Sequence, residues 1–159
     1  MSPPASTAFS VWPDTSEKAH VTNSDALFVE CLASEVHVVR ILLADDSSFW
    51  REQLRAILEE DPGWSVYEAN NGSEAVHKSS WLRPDIVILD LCMPVLDGLD
   101  AARMLKHAMP ELPVLIVTVD KTPFLEAAAR QTGVLGVFSK MDCLEVRNFL
   151  RRRLQTRAA

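Results

Sequence analysis

The sequence predicts an α/β fold in which a five-stranded parallel sheet is doubly wound by five helices. Five short runs rich in Val, Ile and Leu occur between residues 38 and 138, and they lack the alternation of half-exposed strands. Such runs suit strands that are buried on both faces. Stretches with helical periodicity lie between the runs, and right-handed crossovers then place helices on both faces of the sheet.

All five strands and four of the five helices follow from particular stretches of sequence. We predict strands at residues 38–43, 64–67, 86–89, 114–117 and 134–138, and a last helix at residues 144–154. Three earlier helices are indicated by stripes of residues at helical spacing. The stripes are Trp50, Leu54, Ile57 and Leu58; Leu99, Ala102, Leu105 and Met109; and Phe124, Ala127, Ala128 and Gln131.

Turn and capping signals separate these elements. Residues 61–63 (Asp-Pro-Gly) end the first helix, and residues 70–72 (Asn-Asn-Gly) turn the chain after the second strand. Thr122 precedes a proline at the first position of a helix, which is a common helix start. Asp97 and Asp142 each begin a pattern that resembles a capping box at two further helix starts.

Composition excludes several classes of protein. The net charge of -6 argues against a nucleic-acid coat protein, and we expect no direct DNA binding. No apolar run approaches the ~18–20 residues that span a bilayer, and no secretory signal is visible, so we expect a cytoplasmic protein with no membrane partner. The three cysteines lack a C-x-x-C arrangement, which disfavours a disulfide framework or a cysteine zinc site.

The chain divides into three parts by composition. Residues 1–36 are rich in Ser, Thr, Pro and Ala, and we predict a disordered extension there. Within it, residues 24–35 have the pattern of a short helix, which is either a plain tail helix or a docking segment. Residues 37–155 form the predicted domain, and residues 156–159 are a tail.

Polar side chains follow four of the five predicted strands. Asp45 and Asp46 come after the first strand, Asp90 after the third, Thr118 after the fourth and Lys140 after the fifth. Alone, each would be a helix cap, a strand end or a surface lysine. Ligands of open parallel sheets bind beyond the carboxyl ends of the strands, so these groups should converge. Carboxylates roughly 4 Å apart repel by about 4 kcal/mol at an effective dielectric constant of about 20, which favours a bound divalent cation, best Mg²⁺.

Six segments together resemble the receiver domains of bacterial two-component response regulators, over about residues 38–154. This resemblance implies a flavodoxin-like sheet with the strand order 2-1-3-4-5. Within this family, the sequence of these segments is most similar to receivers that are fused to a helix-turn-helix output domain. The segments are 41–46 (Ile-Leu-Leu-Ala-Asp-Asp), 68–75 (Glu-Ala-Asn-Asn-Gly-Ser-Glu-Ala), 84–94 (Pro-Asp-Ile-Val-Ile-Leu-Asp-Leu-Cys-Met-Pro), 97–99 (Asp-Gly-Leu), 113–118 and 136–140 (Gly-Val-Phe-Ser-Lys).

The resemblance also implies a role for each site residue. Asp90 matches the phosphoacceptor, which attacks a phosphohistidine to form an acyl phosphate. Asp45, Asp46, Asp90 and the backbone carbonyl of Cys92 match the ligands of Mg²⁺. Lys140 matches the lysine that contacts the phosphoryl oxygens. Thr118 matches the hydroxyl that turns toward the phosphoryl group.

Three features depart from the family pattern. Receivers usually carry Tyr or Phe three residues before the lysine, where this sequence has Val137, and many have a cis proline after the lysine, where it has Met141. Cys92 and Asp120 match positions that, in the family the sequence resembles, tune the lifetime of the phosphoryl group. Only five residues follow Leu154, so we expect a stand-alone receiver. The arginines near this end are expected to be solvated and to complement the helix dipole rather than to contact nucleic acid; they are Arg147, Arg151, Arg152, Arg153 and Arg157.

The leading functional hypothesis is a phosphorelay receiver that is not an enzyme beyond Mg²⁺-dependent self-phosphorylation and autodephosphorylation. Its expected partners are a sensor histidine kinase or a phosphotransfer protein, and a downstream protein effector. The alternative, motivated by Val137, is an interaction module that kept the fold but works without phosphorylation. An aspartyl-phosphate phosphatase is disfavoured, because those enzymes typically carry a second Asp where this chain has Cys92.

Overall fold

The structure, a computed structural model, describes residues 38–155. The predicted extension at residues 1–36, its helix at 24–35 and the tail at 156–159 lie outside these residues. Five strands alternate with five helices along the described chain, as predicted. The elements are β1 (Val39–Ala44), α1 (Ser48–Leu58), β2 (Trp64–Ala69), α2 (Gly72–Leu82), β3 (Ile86–Asp90), α3 (Gly98–Ala108), β4 (Val114–Thr118), α4 (Pro123–Gln131), β5 (Gly136–Ser139) and α5 (Cys143–Gln155).

The five strands form one parallel sheet in the order β2-β1-β3-β4-β5, which confirms the predicted fold and strand order. The register aligns the carboxyl ends of the strands. Ala44 at the end of β1 pairs with Leu89 of β3, and Thr118 at the end of β4 pairs with Ser139 of β5. The residues that follow these ends are therefore brought to one edge of the sheet.

Helices cover both faces of the sheet. On one face, α1 and α5 pack on strand residues such as Ile41, Ile88 and Val117. On the other face, α2, α3 and α4 pack on alternate positions of the same strands, among them Leu42 and Ile116. Burying one such side chain stabilises the fold by roughly 1.5–3 kcal/mol, so the two-sided burial of β1, β3 and β4 gives the site a rigid base.

The buried face of α4 differs from the predicted one. Phe124 is 85% exposed and Gln131 is exposed as well, whereas Leu125 and Ala129 pack against β4 and β5. Pro123 occupies the first turn of α4, and the helix that starts there turns Leu125 and Ala129, four residues apart, toward the sheet. The prediction was wrong by about one residue because its stripe contained Gln131, which gains little from burial.

The predicted capping signals are confirmed by hydrogen bonds. The side chains of Asp97 and Thr122 accept from the backbone N–H groups of residues 100 and 125, at 2.8 and 3.2 Å. Asp142 accepts from the N–H of residue 145 at 3.0 Å. Asn71, predicted only as part of a turn, caps α2 by accepting from the N–H of Glu74 at 2.8 Å. These bonds fix where the helices that flank the sheet edge begin.

Two arginines of α5 form ion pairs with the loop after α1. Arg147 is 15% exposed and pairs with Glu60 and Asp61, and Arg151 donates to Asp61 at 2.6 Å. The expectation that all of these arginines are solvated is therefore wrong for Arg147, because the loop after α1 supplies acidic partners, whereas the side chain of Arg151 is 40% exposed. Among residues 38–155, no helix combines the length and apolarity that crossing a membrane requires.

Candidate functional site

The edge of the sheet at the ends of β1, β3, β4 and β5 contains buried polar side chains. Of the five polar or charged side chains that are buried within residues 38–155, four lie here, and the fifth is Ser79. Asp45, Asp90, Thr118 and Lys140 are between 3% and 6% exposed. Charged groups are rarely buried this far without close partners, so their clustering marks this edge as the candidate site.

Lys140 bridges two of the carboxylates. Its Nζ lies 2.6 Å from Oδ2 of Asp45 and 3.1 Å from Oδ1 of Asp90. The backbone N–H of Lys140 donates to the carbonyl of Thr118 at 2.9 Å, which ties the loop after β5 to the end of β4. The ammonium also lies 5.8 Å from the centre of the Trp50 ring, within range of a cation–π contact.

Asp90 is held in an environment that opposes its charge. Burial raises the pKa of Asp90 above its ordinary value, and the negative charge of Asp45 also raises it. Hydrogen bonds from Lys140 and from the backbone N–H of Cys92 lower the pKa again, without cancelling the effect of burial. Residues 45, 46 and 90 bring three carboxylates to this site, where Lys140 is the one buried ammonium in the described part of the chain.

The three carboxylates fit a divalent cation. Asp45, Asp46 and Asp90 each offer one oxygen atom, and these oxygens lie within 4.8 Å of one another. Asp46 is exposed, so the group can be reached from solvent. Hard oxygen donors that carry an excess of negative charge are the ligands that Mg²⁺ prefers. The donor set thus fits the metal that the resemblance implies.

The mouth of the site is an open cavity of about 290 Å³. Cys92, which is exposed, and Asp120 line it together with Asp46, Asp90 and Lys140. Thr118 lines the same cavity. The structure therefore brings all the predicted site residues to one place, while Val137 packs against α4 instead.

Glycine allows the loop after β3 to fold back under Asp90. A Cβ atom on Gly98 would lie 2.1 Å from the backbone oxygen of Asp90, so no other residue fits without moving that backbone. The N–H of Gly98 donates to the carbonyl of Leu91 at 2.9 Å. In the middle of the loop, Val95 adopts a φ of +71° while the N–H of Leu96 donates to the carbonyl of Pro94. This tight turn is rare for a β-branched residue.

Two neighbours of the site were missed by the sequence analysis. Arg51 donates to the backbone carbonyl of Asp45 at 2.8 Å and to the carboxylate of Glu68 at 2.9 Å. The predicted second strand ends at residue 67, whereas Glu68 lies within β2. Trp50 was predicted only as a core residue of α1 and also lies over Lys140. A basic residue six positions after Asp45, near the start of α1, is the signal that was available.

Comparisons with known proteins agree on the family. The family model of the response regulator receiver domain matches residues 41–148. A protein-glutamate methylesterase/protein-glutamine glutaminase of Alkalilimnicola ehrlichii is 44% identical over 79 residues, which cover 49% of this chain and 20% of that protein. A second protein of this description, from Methanospirillum hungatei JF-1, is 39% identical over 107 residues, which cover 65% of this chain and 30% of that protein. The chain thus spans less than a third of these relatives.

Solved structures show the same fold. A two-component response regulator of the LuxR family from Aurantimonas sp. SI85-9A1 has a TM-score of 0.70 and 30% identity, over 75% of this chain and 86% of that chain. The signal receiver domain of the response regulator NarL from Mycobacterium tuberculosis gives 0.69 and 25%, over 74% and 96%. The response regulator domain of Thermotoga maritima CheB gives 0.64 and 26%, over 75% and 95%.

Proposed function

Because the chain belongs to the response regulator receiver domain family, we propose that it accepts a phosphoryl group on Asp90 and transmits this event to another protein. Residues 37–155 form the proposed receiver domain. The proposed donor is a sensor histidine kinase or a phosphotransfer protein, and the proposed recipient of the signal is a protein effector. Carboxylates, a lysine and a threonine at the site suit phosphoryl acceptance, so we propose no ester hydrolysis for these residues.

In the proposed reaction, a carboxylate oxygen of Asp90 attacks the phosphorus of a phosphohistidine. The new P–O bond forms as the P–N bond breaks, and the released imidazole takes a proton from solvent. The end of β3 and the Cys92 N–H hold the Asp90 carboxylate at the base of the open cavity, where a donor can approach it.

Asp45, Asp46, Asp90 and the carbonyl of Cys92 are the proposed ligands of Mg²⁺. When bound, Mg²⁺ supplies positive charge to the phosphoryl oxygens. Asp45 contributes from a fixed position, since its Oδ1 accepts from the N–H of Ser47 at 2.9 Å while its Oδ2 meets Lys140. Asp46 contributes from the exposed side of the site.

Lys140 and Thr118 are the proposed sensors of the phosphoryl group. The Lys140 ammonium lies between Asp45 and Asp90, so a phosphoryl group on Asp90 would offer it new acceptors at the same place. Each hydrogen bond to a charged group contributes about 1.5–3 kcal/mol. Inverting a conformational ratio of roughly 1:99 needs about 5.5 kcal/mol, which these two contacts would largely supply only if both formed solely after phosphorylation. Because Lys140 already contacts both aspartates, the new contact of Thr118 is the main part of the proposed switch.

The observation that carries the proposal is the buried contact of one lysine with two aspartates beside Asp46. To test it, the protein is incubated with Mg²⁺ and a small-molecule acyl phosphate, and its intact mass is followed. We expect a gain of one phosphoryl group that is lost in Asp90→Asn and when Mg²⁺ is chelated. Asp100→Asn, at an exposed carboxylate that pairs with Arg103, is the matched control and should be labelled like the wild type. Equal labelling of Asp90→Asn and wild type would overturn the assignment.

A second candidate function is a module that binds its partner regardless of phosphorylation. Val137 favours it, because this side chain is 7% exposed and packs with Ile116, Leu125 and Ala129, where an aromatic ring would be the moving part of the switch. Amide hydrogen exchange separates the two functions. A switch changes exchange in α4 and β5 when the phosphoryl donor is added, whereas the module changes exchange only around Asp90.

A further inference from the structure

Arg51 connects the acidic loop to the neighbouring strand. It lies near the start of α1, and its side chain is only 12% exposed. Its Nη1 donates to the backbone carbonyl of Asp45 at 2.8 Å, and its Nε donates to Oε2 of Glu68 at 2.9 Å. The planar guanidinium makes both bonds at once, which a lysine ammonium on a flexible stem reproduces poorly.

Glu68 is a firm anchor for Arg51. Its other oxygen accepts from Arg55 at 2.8 Å, and its backbone carbonyl accepts from Lys78 at 2.6 Å. The hydrogen bonds from Arg51 and Arg55 hold the pKa of Glu68 below its ordinary value, so it remains a carboxylate at neutral pH. Next to it, the N–H of Asp45 donates to the carbonyl of Ala69 at 3.2 Å. The end of β2 thus restrains the backbone N–H of Asp45 through Ala69 and its backbone carbonyl through Glu68 and Arg51.

The carbonyl that Arg51 holds belongs to the peptide group that joins Asp45 to Asp46. Because a peptide group is planar, fixing this carbonyl also fixes the direction in which the backbone of Asp46 leaves β1. Asp45 has further restraints on its carboxylate, from Ser47 and Lys140. Within residues 38–155 no hydrogen bond or ion pair holds the exposed Asp46 carboxylate, so its placement depends on this peptide group.

We propose that Arg51, anchored on Glu68, is a positioning residue that orients the Asp45–Asp46 peptide so that both carboxylates face a divalent cation. This inference rests on the proposed function of the two aspartates as cation ligands. Arg51 is not itself a ligand and acts through the backbone carbonyl of Asp45.

The direction in which the Mg²⁺ affinity changes when Arg51 is replaced distinguishes a positioning role from a purely electrostatic one. A guanidinium near three carboxylates repels an incoming cation, so if Arg51 acted only as a charge, its removal would tighten Mg²⁺ binding. If Arg51 positions the peptide, its removal weakens Mg²⁺ binding despite the loss of that repulsion. Groups that orient metal ligands typically change metal affinity by about 10–100-fold when they are replaced.

The test is isothermal titration of Mg²⁺ alone into the full chain and its variants. Arg51→Gln should weaken Mg²⁺ binding by about tenfold or more. Arg51→Lys keeps the charge but cannot make both hydrogen bonds, so it should recover only part of this loss. Arg55→Gln is the matched control, because Arg55 also pairs with Glu68 from α1 but makes no contact with Asp45. Its Mg²⁺ affinity should stay close to that of the wild type.

Thermal unfolding of the same variants shows whether the affinity loss reflects damage to the fold. Arg51→Gln and Arg55→Gln each remove a bond to Glu68, so similar melting temperatures with different Mg²⁺ affinities support the proposal. Unchanged or tighter Mg²⁺ binding in Arg51→Gln would overturn it, as would equal losses in the two variants. Failure of the wild type itself to bind Mg²⁺ would instead overturn the proposed function of the aspartates.

Discussion

Replacing Lys140 by methionine tests the electrostatics of the site without a large change in volume. In the wild type the ammonium contacts Asp45 and Asp90 directly, and all three side chains are at most 7% exposed. Removing one partner from a buried charge cluster leaves uncompensated charge and typically costs about 3–5 kcal/mol. At roughly 3 °C per kcal/mol for a domain of this size, Lys140→Met should lower the melting temperature by about 10–15 °C near neutral pH.

The pH dependence of Lys140→Met has a definite sign. Burial already places the pKa of Asp90 above its ordinary value, and loss of Lys140 raises this pKa further. A carboxyl group whose pKa is raised by folding contributes stability at low pH that is lost as the pH rises through the folded-state pKa. Wild type and Lys140→Met share the same unfolded-state pKa, so both lose stability in parallel until the pH reaches the raised pKa of Asp90 in the folded wild type. The stability gap between them should therefore widen above that pKa and level off above the still higher pKa of Asp90 in the variant.

The assay is thermal unfolding followed by circular dichroism across this pH range, with and without Mg²⁺. Mg²⁺ should restore part of the lost stability, since it replaces the missing positive charge. Lys121→Met is the control, because Lys121 pairs with Glu126 on the surface and such pairs contribute about 0–1 kcal/mol. A Lys140→Met protein that melts no lower than the control, or a gap that narrows as the pH rises, would refute this account of the site.

Three further substitutions test the surroundings of the site. Gly98→Ala forces a Cβ against the Asp90 carbonyl and should cost about 1–3 kcal/mol in chemical denaturation while slowing phosphoryl labelling; unchanged stability would contradict the close approach. Val95→Gly should stabilise the protein by up to about 1 kcal/mol, because Val95 is 85% exposed at a φ of +71°, and a lower melting temperature would show that this turn is not strained. Glu68→Gln should destabilise the protein at neutral pH, and this effect should shrink as the pH falls below the ordinary pKa of glutamate, because a carboxyl group with a lowered pKa contributes stability that is lost as the pH falls through that pKa. Equal effects at neutral and acidic pH, in urea titrations, would exclude the Arg51–Glu68 charge contact as the cause.

The sheet and the convergence of the site residues could be predicted from the sequence because both depend on local patterns. Strands that are buried on both faces have continuous apolar runs, and parallel strands bring their carboxyl ends to one edge. This suffices to place Asp45, Asp90, Thr118 and Lys140 together. The sequence pattern does not predict that the Lys140 ammonium contacts two carboxylates at once. That contact depends on side-chain rotamers and on the hydrogen bond from the backbone N–H of Lys140 to the carbonyl of Thr118.

The contacts that the sequence did not predict join residues that are distant in sequence and become neighbours only through the packing of the strands. Arg51 and Glu68 are 17 residues apart and meet only because β2 lies beside β1. The predicted second strand ended at residue 67, two residues before the end of β2, which left Glu68 outside it. The buried face of α4 was predicted wrongly because alanines and a glutamine form only a weak apolar stripe in the sequence. Val95 contradicts the preference of its residue type, so no rule of propensity could have placed it at a positive φ.

The most direct test of the central claim is to locate the phosphoryl group after reaction with a small-molecule acyl phosphate and Mg²⁺. Fragmentation of the digested protein by mass spectrometry should place it on Asp90, in a linkage that hydroxylamine cleaves as an acyl phosphate. A phosphoryl group on a serine, threonine or histidine, or on Asp45 or Asp46 with Asp90 unmodified, would contradict the account.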